Sequence, residues 1–176
     1  MTQTTMVDDY DPRWPQLFEE AAAELAEIQS SWVVEHIGST AIPGMAAKPT
    51  IDIAVRVGTL DEVAERLDDL ATIGWQRIAR GPRTHLVLVK QQVSRRTHIA
   101  HFFTGEQWDR CNQRIFRDWL LTHPQDAAHY LEVKRAAAEH AAGGRDYTAR
   151  KTVVVQEIVD RARAARGLPM VDVWDK

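Results

Sequence analysis

The chain has 176 residues, 44% of them hydrophobic and 27% charged, with a formal net charge of -3, which is the composition of one ordinary globular domain with room for a substantial core. That charge excludes a strongly basic nucleic-acid binder, no apolar run approaches the ~18–20 residues that span a bilayer, and the lone Cys111 excludes an intramolecular disulfide and a cysteine zinc cluster. The start, MTQTTMVDDY, is polar and acidic, unlike a signal peptide, so a cytoplasmic protein without membrane contact is expected.

Residues 1–9 read as a loose tail. Asp11-Pro12 opens a helix over about 15–30, with Pro15 in its first turn. Leu17, Phe18, Ala21, Leu25 and Ile28 fall at helical spacing, and Glu19, Glu20, Glu24 and Glu27 take the other side. Residues 32–37 predict a short strand and 38–49 a loop rich in Gly, Pro and small residues. The run TIDIAVRV over 50–57 predicts a buried strand. Residues 60–73 predict one amphipathic helix with Gly74 as its C-cap. Strand-like runs follow at 75–79, 84–91 and 95–103, joined by Gly81-Pro82 and a turn near 91–94.

From Glu106 the period turns helical. A helix over about 106–122 carries the stripe Trp108, Cys111, Ile115 and Trp119, and His123-Pro124 ends it. Helices over about 125–142 and 146–165 end at Gly143-Gly144 and Gly167-Leu168-Pro169, leaving 167–176 as a second tail. The order predicts one α+β domain over 1–176, a mixed sheet with helices packed on it and a C-terminal three-helix cap.

Charge is unevenly spread. Residues 1–31 hold seven acids and one base, whereas residues 106–166 hold nine acids and eleven bases. The downstream bases favour a small anionic ligand, or simply belong to a mixed solvated surface.

The stretch EHIGSTAIPGMAAKPTIDIAV, 35–55 in sequence, carries most of the chemistry. A strand runs into Gly38-Ser39-Thr40, where backbone amides and two hydroxyls can cradle a phosphate. The same residues also suit a plain Ser/Thr turn. Lys48 precedes the next strand and can offer a point charge to an anion or snorkel to the surface. Asp52 sits inside an apolar strand, where a carboxylate is costly unless it is paired, metal-bound or at a cleft. The spacing of Gly38 and Gly44 does not fit a Walker A loop.

His98 and His101 lie three apart on a strand, hence on opposite faces. His101 suits either a hydrogen-bonded core position or a base near neutral pH, and His36 can point into the same cleft. Tyr130 and Lys134, and Tyr147 and Lys151, lie four apart on helix faces. Lys151 shares the inward stripe of Tyr147, Val154 and Ile158, which suggests a cleft-lining cation. Arg110, Arg114 and Arg117 form a basic row, and Arg117 can pair with Asp52 or with Glu35. The six tryptophans are not interleaved with a basic groove, so single-stranded nucleic acid is not expected as a partner.

The stretch EHIGSTAIPGMAAKPTIDIAV resembles the signature of the GrpB family, a nucleotidyltransferase-fold group. The likeness continues through THIAHFF, Phe116-Arg117-Asp118 with His123-Pro124, Tyr130 with Lys134, and Tyr147 with Lys151. It implies a nucleotidyltransferase-like sheet in which a Gly-Ser turn holds a triphosphate and carboxylates hold Mg²⁺ or Mn²⁺. Gly38-Ser39 matches the turn and Asp52 the first acid. Ala54 stands where a second carboxylate is expected, and His101 where a third is expected. Asp52 and His101 are then the metal and catalytic candidates. Gly38, Ser39, Thr40, Lys48, Lys134, Lys151, Tyr147 and Arg117 are the phosphate or nucleotide candidates. The implied activity is nucleotidyl transfer from a nucleoside triphosphate to a small metabolite. The alternative is a non-catalytic binder of a nucleotide or phosphorylated metabolite, favoured by Ala54.

Overall fold

The computed structural model describes residues 7–78, 81–82, 84–93 and 95–173. The first described residues are not loose. Asp8 and Ala47 exchange two backbone hydrogen bonds of 2.9 Å, and Asp9 pairs with Arg135 at 3.2 Å. Helix α1 (Trp14–Ile28) has Pro in its first turn and buries Trp14, Ala21 and Leu25. Strand β1 (Val33–Ile37) leads into a 3₁₀ turn (Ser39–Ala41), and β2 (Ile51–Val57) follows the loop.

The helix expected over 60–73 is two helices, α2 (Leu60–Ala64) and α3 (Leu67–Thr72). At the break the Arg66 guanidinium takes the Glu62 carbonyl at 2.8 Å, and the Arg66 amide bonds Val63 instead. The carbonyl that would have continued the ladder is thereby used by a side chain. Gly74 follows with φ 91°, as the C-cap reading requires.

Of the run over 75–79, only β3 (Gln76–Arg77) is strand, and residue 79 lies outside the described residues. Strands β4 (Leu86–Gln92) and β5 (Arg95–Thr104) pair with a register shift at Lys90/Gln91, beside the turn at Val93. The sheet order is β1-β2-β5-β4-β3, with β2 and β5 parallel and the other pairs antiparallel.

The helix expected over 106–122 is also divided, into α4 (Gly105–Trp108) and α5 (Asn112–Thr122). Here arginines again take the freed acceptors. Arg114 donates to the Trp108 carbonyl at 2.9 Å, and Arg163 donates to the Arg110 carbonyl at 3.1 Å. Helices α6 (Pro124–His140) and α7 (Gly144–Ala165) complete the cap. Residues 167–173 are not a free tail. Arg163 holds the Pro169 carbonyl, and the Gln156 amide bonds the backbone of Val171 and of Val173.

Strand alternation divides the sheet. One face (Ile51, Ile53, Val55, Leu88, Ala100, Phe102) packs on α1, α2 and α3 with Trp14, Trp32 and Trp75. The other presents Ile37, Ala54 and Phe103 to Trp108 and Cys111. The cap has a separate core of Phe116, Leu120, Tyr130, Val154 and Ile158, joined by Ile42 and Met45 from the loop before β2. Trp119 is half-buried and stacked on His123, and Trp174 lies outside the described residues. The α+β architecture with a three-helix cap is as the sequence predicts. No helix among the described residues is long and apolar enough to cross a membrane.

One ionic clamp ties cap to sheet. Glu35 of β1 accepts from Arg114 Nε and Nη2 (3.0 and 2.9 Å) and from Arg117 Nη2 (2.7 Å). Burial pushes the Glu35 carboxyl up, but the two guanidiniums outweigh it and hold it below the usual carboxylate range. Glu35→Gln is expected to cost about 1.5–3 kcal/mol at pH 7. A depressed acid gives stability that is present above its unfolded pKa of ~4.3 and lost as pH falls through its lower folded value. Urea melts should therefore show wild type and variant separated at pH 7 and converging as pH falls through the lowered folded value of Glu35. An equal gap at both would refute the clamp's ionic origin.

Candidate functional site

The half of the sheet not covered by α1–α3 faces the cap across a cleft of about 1040 Å³. Its floor is Ile37, Asp52, Ile99 and His101. Its walls come from Thr84 and His85, from α5 at Phe116, from α7 at Lys151 and Val155, and from Asp172 and Val173 of the C-terminal segment.

Asp52 points into this cleft because it registers with Ile37 on β1 and Ile99 on β5. The Gly38 backbone, at φ 71° and ψ -171°, lies in a region that essentially only glycine adopts. A Cβ at Gly38 would sit 2.5 Å from Asp52 Oδ2, so the turn and the carboxylate fit only with glycine there. Among the described residues no basic nitrogen lies within 4.0 Å of Asp52, so it is not locked by an ion pair. Burial pushes its carboxyl up to about 6, against the opposing fields of Lys151 and Lys134.

Three lysines gather on the cap side. Lys134 is only 2% exposed and donates to the Ala46 carbonyl at 2.7 Å. Burial, and then Lys151, push it down to about 7. Lys48 and Lys151 stand 4.7 and 4.8 Å from the centroid of the Tyr147 ring. Burial and Lys151 hold Lys48 below the usual lysine range. None of the three has a carboxylate partner among the described residues. Tyr147 is buried, burial raises its phenol, and its hydroxyl has no hydrogen-bond partner among the described residues.

Other candidates sit elsewhere. Ser39 is half-buried in the 3₁₀ turn beside Gly38. Thr40 is not brought into the site. It is 2% exposed, with its hydroxyl 2.9 Å from His36 Nε2 and donating to the Thr50 carbonyl. His36 registers with Ile53, hence on the opposite face from Asp52, and stacks on Phe18 at 4.8 Å. Burial pushes His36 down to about 4. Arg117 is consumed by Glu35, Asp118 and the His36 carbonyl, so it is withdrawn from the phosphate-binding set. Of the two readings for Arg117, the Glu35 pairing is the one realised.

His101 registers with Ala54, not with Asp52. Its Nδ1 lies 2.9 Å from His85 Nε2, and His85 Nδ1 lies 3.0 Å from the Thr84 hydroxyl. His85 also packs on Phe103, with centroids 4.5 Å apart. Sequence reading missed His85, although it lies two places before Val87, the cross-strand neighbour of His101. His98 faces the other way, against Trp75.

The donor set fits a divalent cation poorly. The cleft-face neighbours of Asp52 are Ile37, Ala54 and Ile99, all apolar. No group of three or more His, Cys, Asp or Glu among the described residues can hold an ion. Hard cations want several oxygen ligands, and here Asp52 meets the opposing fields of Lys151 and Lys134 instead.

Comparison with known proteins agrees with the architecture. The family model described as GrpB protein matches residues 4–161. A UPF0157 protein of Pseudomonas aeruginosa is 37% identical over 171 residues, covering 92% of this chain and 69% of its own. The crystal structure of conserved protein GrpB from Enterococcus faecalis has a TM-score of 0.83 at 29% identity, covering 92% of this chain and 99% of that one. The Cid1 poly(U) polymerase aligns at a TM-score of 0.47 and 11% identity over 82% of this chain and 49% of its own, a likeness too distant to carry chemistry.

Two outcomes follow from the site's geometry. Gly38→Ala is expected to cost about 1–3 kcal/mol from backbone strain alone. Asp52→Gly should relieve part of any further loss, which a double-mutant cycle by thermal melting reads directly. Strict additivity would show that the close approach does not matter. For Lys134, the unfolded chain binds its proton up to ~10.4, while the folded group releases it near 7. Between those values the unfolded state holds more protons, so stability from this group rises with pH, by up to about 1.4 kcal/mol per unit. Lys134→Met should lose that rise, so wild type gains on the variant from pH 7 to pH 10 in urea melts. Parallel curves would contradict the burial of a depressed lysine.

Proposed function

Because the chain belongs to the GrpB family, we propose that its cleft receives a small phosphorylated ligand of the nucleoside triphosphate class on a nucleotidyltransferase-like frame. The observation that carries this reading is Lys151 in the same cleft as Asp52 and Gly38, with Lys48 on the same Tyr147 ring and Lys134 buried, none of the three with a carboxylate partner among the described residues. Cations gathered in and beneath a concave wall raise the local concentration of anions. Lys151 and Gly38, both lining the cleft, mark its phosphate end. The other end of the cleft offers His85, Phe103, Val87 and Val89, a flat and apolar lining that suits an unsaturated ring.

A transferase reading is favoured by one further feature, the His85–His101 contact on the cleft wall. In that reading His101 takes the proton of an acceptor hydroxyl. The acceptor oxygen bonds the α-phosphorus, and the bond to pyrophosphate breaks. Ala54 weighs against it, since the second carboxylate of that chemistry is missing.

Thermal melting tests the binding reading. At a nucleotide concentration of about a hundred times Kd the fold gains about 2.7 kcal/mol, a rise in Tm of roughly 5–10 °C for a chain of this size. The absence of any rise with all four ribonucleoside triphosphates, with and without Mg²⁺ or Mn²⁺, would refute it. Pyrophosphate release in the presence of a metabolite extract, lost in His101→Ala, would select transfer over binding alone.

A further inference from the structure

We propose that Lys151, with Lys48 beside it on the Tyr147 ring, takes the charge-neutralising place that divalent cations hold in two-metal sites, so that this cleft receives a polyphosphate without metal. The inference rests on the binding reading above and goes beyond it by assigning the counter-charge.

In a two-metal site, clustered carboxylates collect cations, and the cations neutralise the phosphate oxygens. Here the first half of that arrangement is missing and the second is supplied by side chains. Asp52 is flanked on its own face by Ile37, Ala54 and Ile99, none of which carries a carboxylate. A divalent ion approaching Asp52 would meet the fields of Lys151 and Lys134, which act on Asp52 from the cap. The same ammoniums repel one another, as Lys48 and Lys134 both show by the influence of Lys151. Lys151 lines the cleft with no carboxylate within 4.0 Å of it among the described residues, so its charge is open to a multivalent anion.

The cluster is anchored in the core by Lys134 and Tyr147, while Lys48 is exposed. Lys134 is sealed beneath α6 and fixed to the Ala46 carbonyl. Lys48 and Lys151 both lie against the ring of Tyr147, held there by cation–π attraction. The Tyr147 hydroxyl, buried and without a partner among the described residues, is a further donor in the same cluster. Arg114 and Arg117 are held at the sheet edge by Glu35, and Arg117 by Asp118 as well.

Isothermal titration of the whole chain with inorganic tripolyphosphate and with ATP, in EDTA and in excess Mg²⁺, tests the inference. Binding in EDTA at least as tight as in Mg²⁺ is expected. Asp52→Asn, which removes the opposing charge, should tighten it by about tenfold, and Lys151→Gln should weaken it by about tenfold. Circular dichroism melts check that each variant is folded, and the metal comparison on wild type needs no variant. Binding that requires Mg²⁺ would overturn the metal-free assignment and leave the binding reading standing. No binding of either probe, with or without Mg²⁺, would overturn both.

Discussion

The position of one carboxylate, Glu35, decides that two arginines of α5 are spent at the sheet edge rather than on Asp52. By accepting from Arg114 and Arg117 together it fastens α5 to the edge strand and satisfies the two strongest fixed cations of the cap. Had either guanidinium reached Asp52 instead, the floor of the cleft would be a closed ion pair. With both consumed at the sheet edge, Asp52 is left facing lysines that reach it from α6 and α7. The docking of the cap and the chemistry of the cleft are therefore consequences of the same contact. Arg114 strengthens it by lying over the Trp108 ring at 4.0 Å, so its charge is held from both sides.

Much of this was legible from residue order. The α1 stripe, the β-branched run of β2 and the three cap helices follow from periodicity, because burial of one face imposes it. The inward placement of Lys151 followed from its membership of the stripe of Tyr147, Val154 and Ile158. What was not legible depends on long-range register. His36 and Asp52 lie on different strands, and nothing local fixes whether Ile37 or His36 meets Asp52. The observed pairing of Ile37 with Asp52 sends His36 to α1. Thr40 follows it, since its hydroxyl is spent on that imidazole. The choice of Arg117 between Asp52 and Glu35 was open for the same reason.

The two predicted helices that the structure divides are each broken where an arginine side chain takes a backbone carbonyl. Arg66 and Arg114 do so from within the predicted helix, and Arg163 does so from α7. Apolar periodicity cannot reveal this, because the stripe runs on undisturbed through both breaks. The second break matters for the site. It turns the chain so that Trp108 and Cys111 pack on the sheet while Phe116 and Leu120 pack in the cap core. Between those two packing surfaces lies the open volume.

The folded-back C-terminal segment carries a practical implication. Gln156 grips the backbone at Val171 and Val173, and Asp172 and Val173 stand on the rim of the opening. A purification handle or fluorescent fusion joined after this segment would emerge at the mouth of the cavity, where it would crowd incoming molecules and compete electrostatically with them.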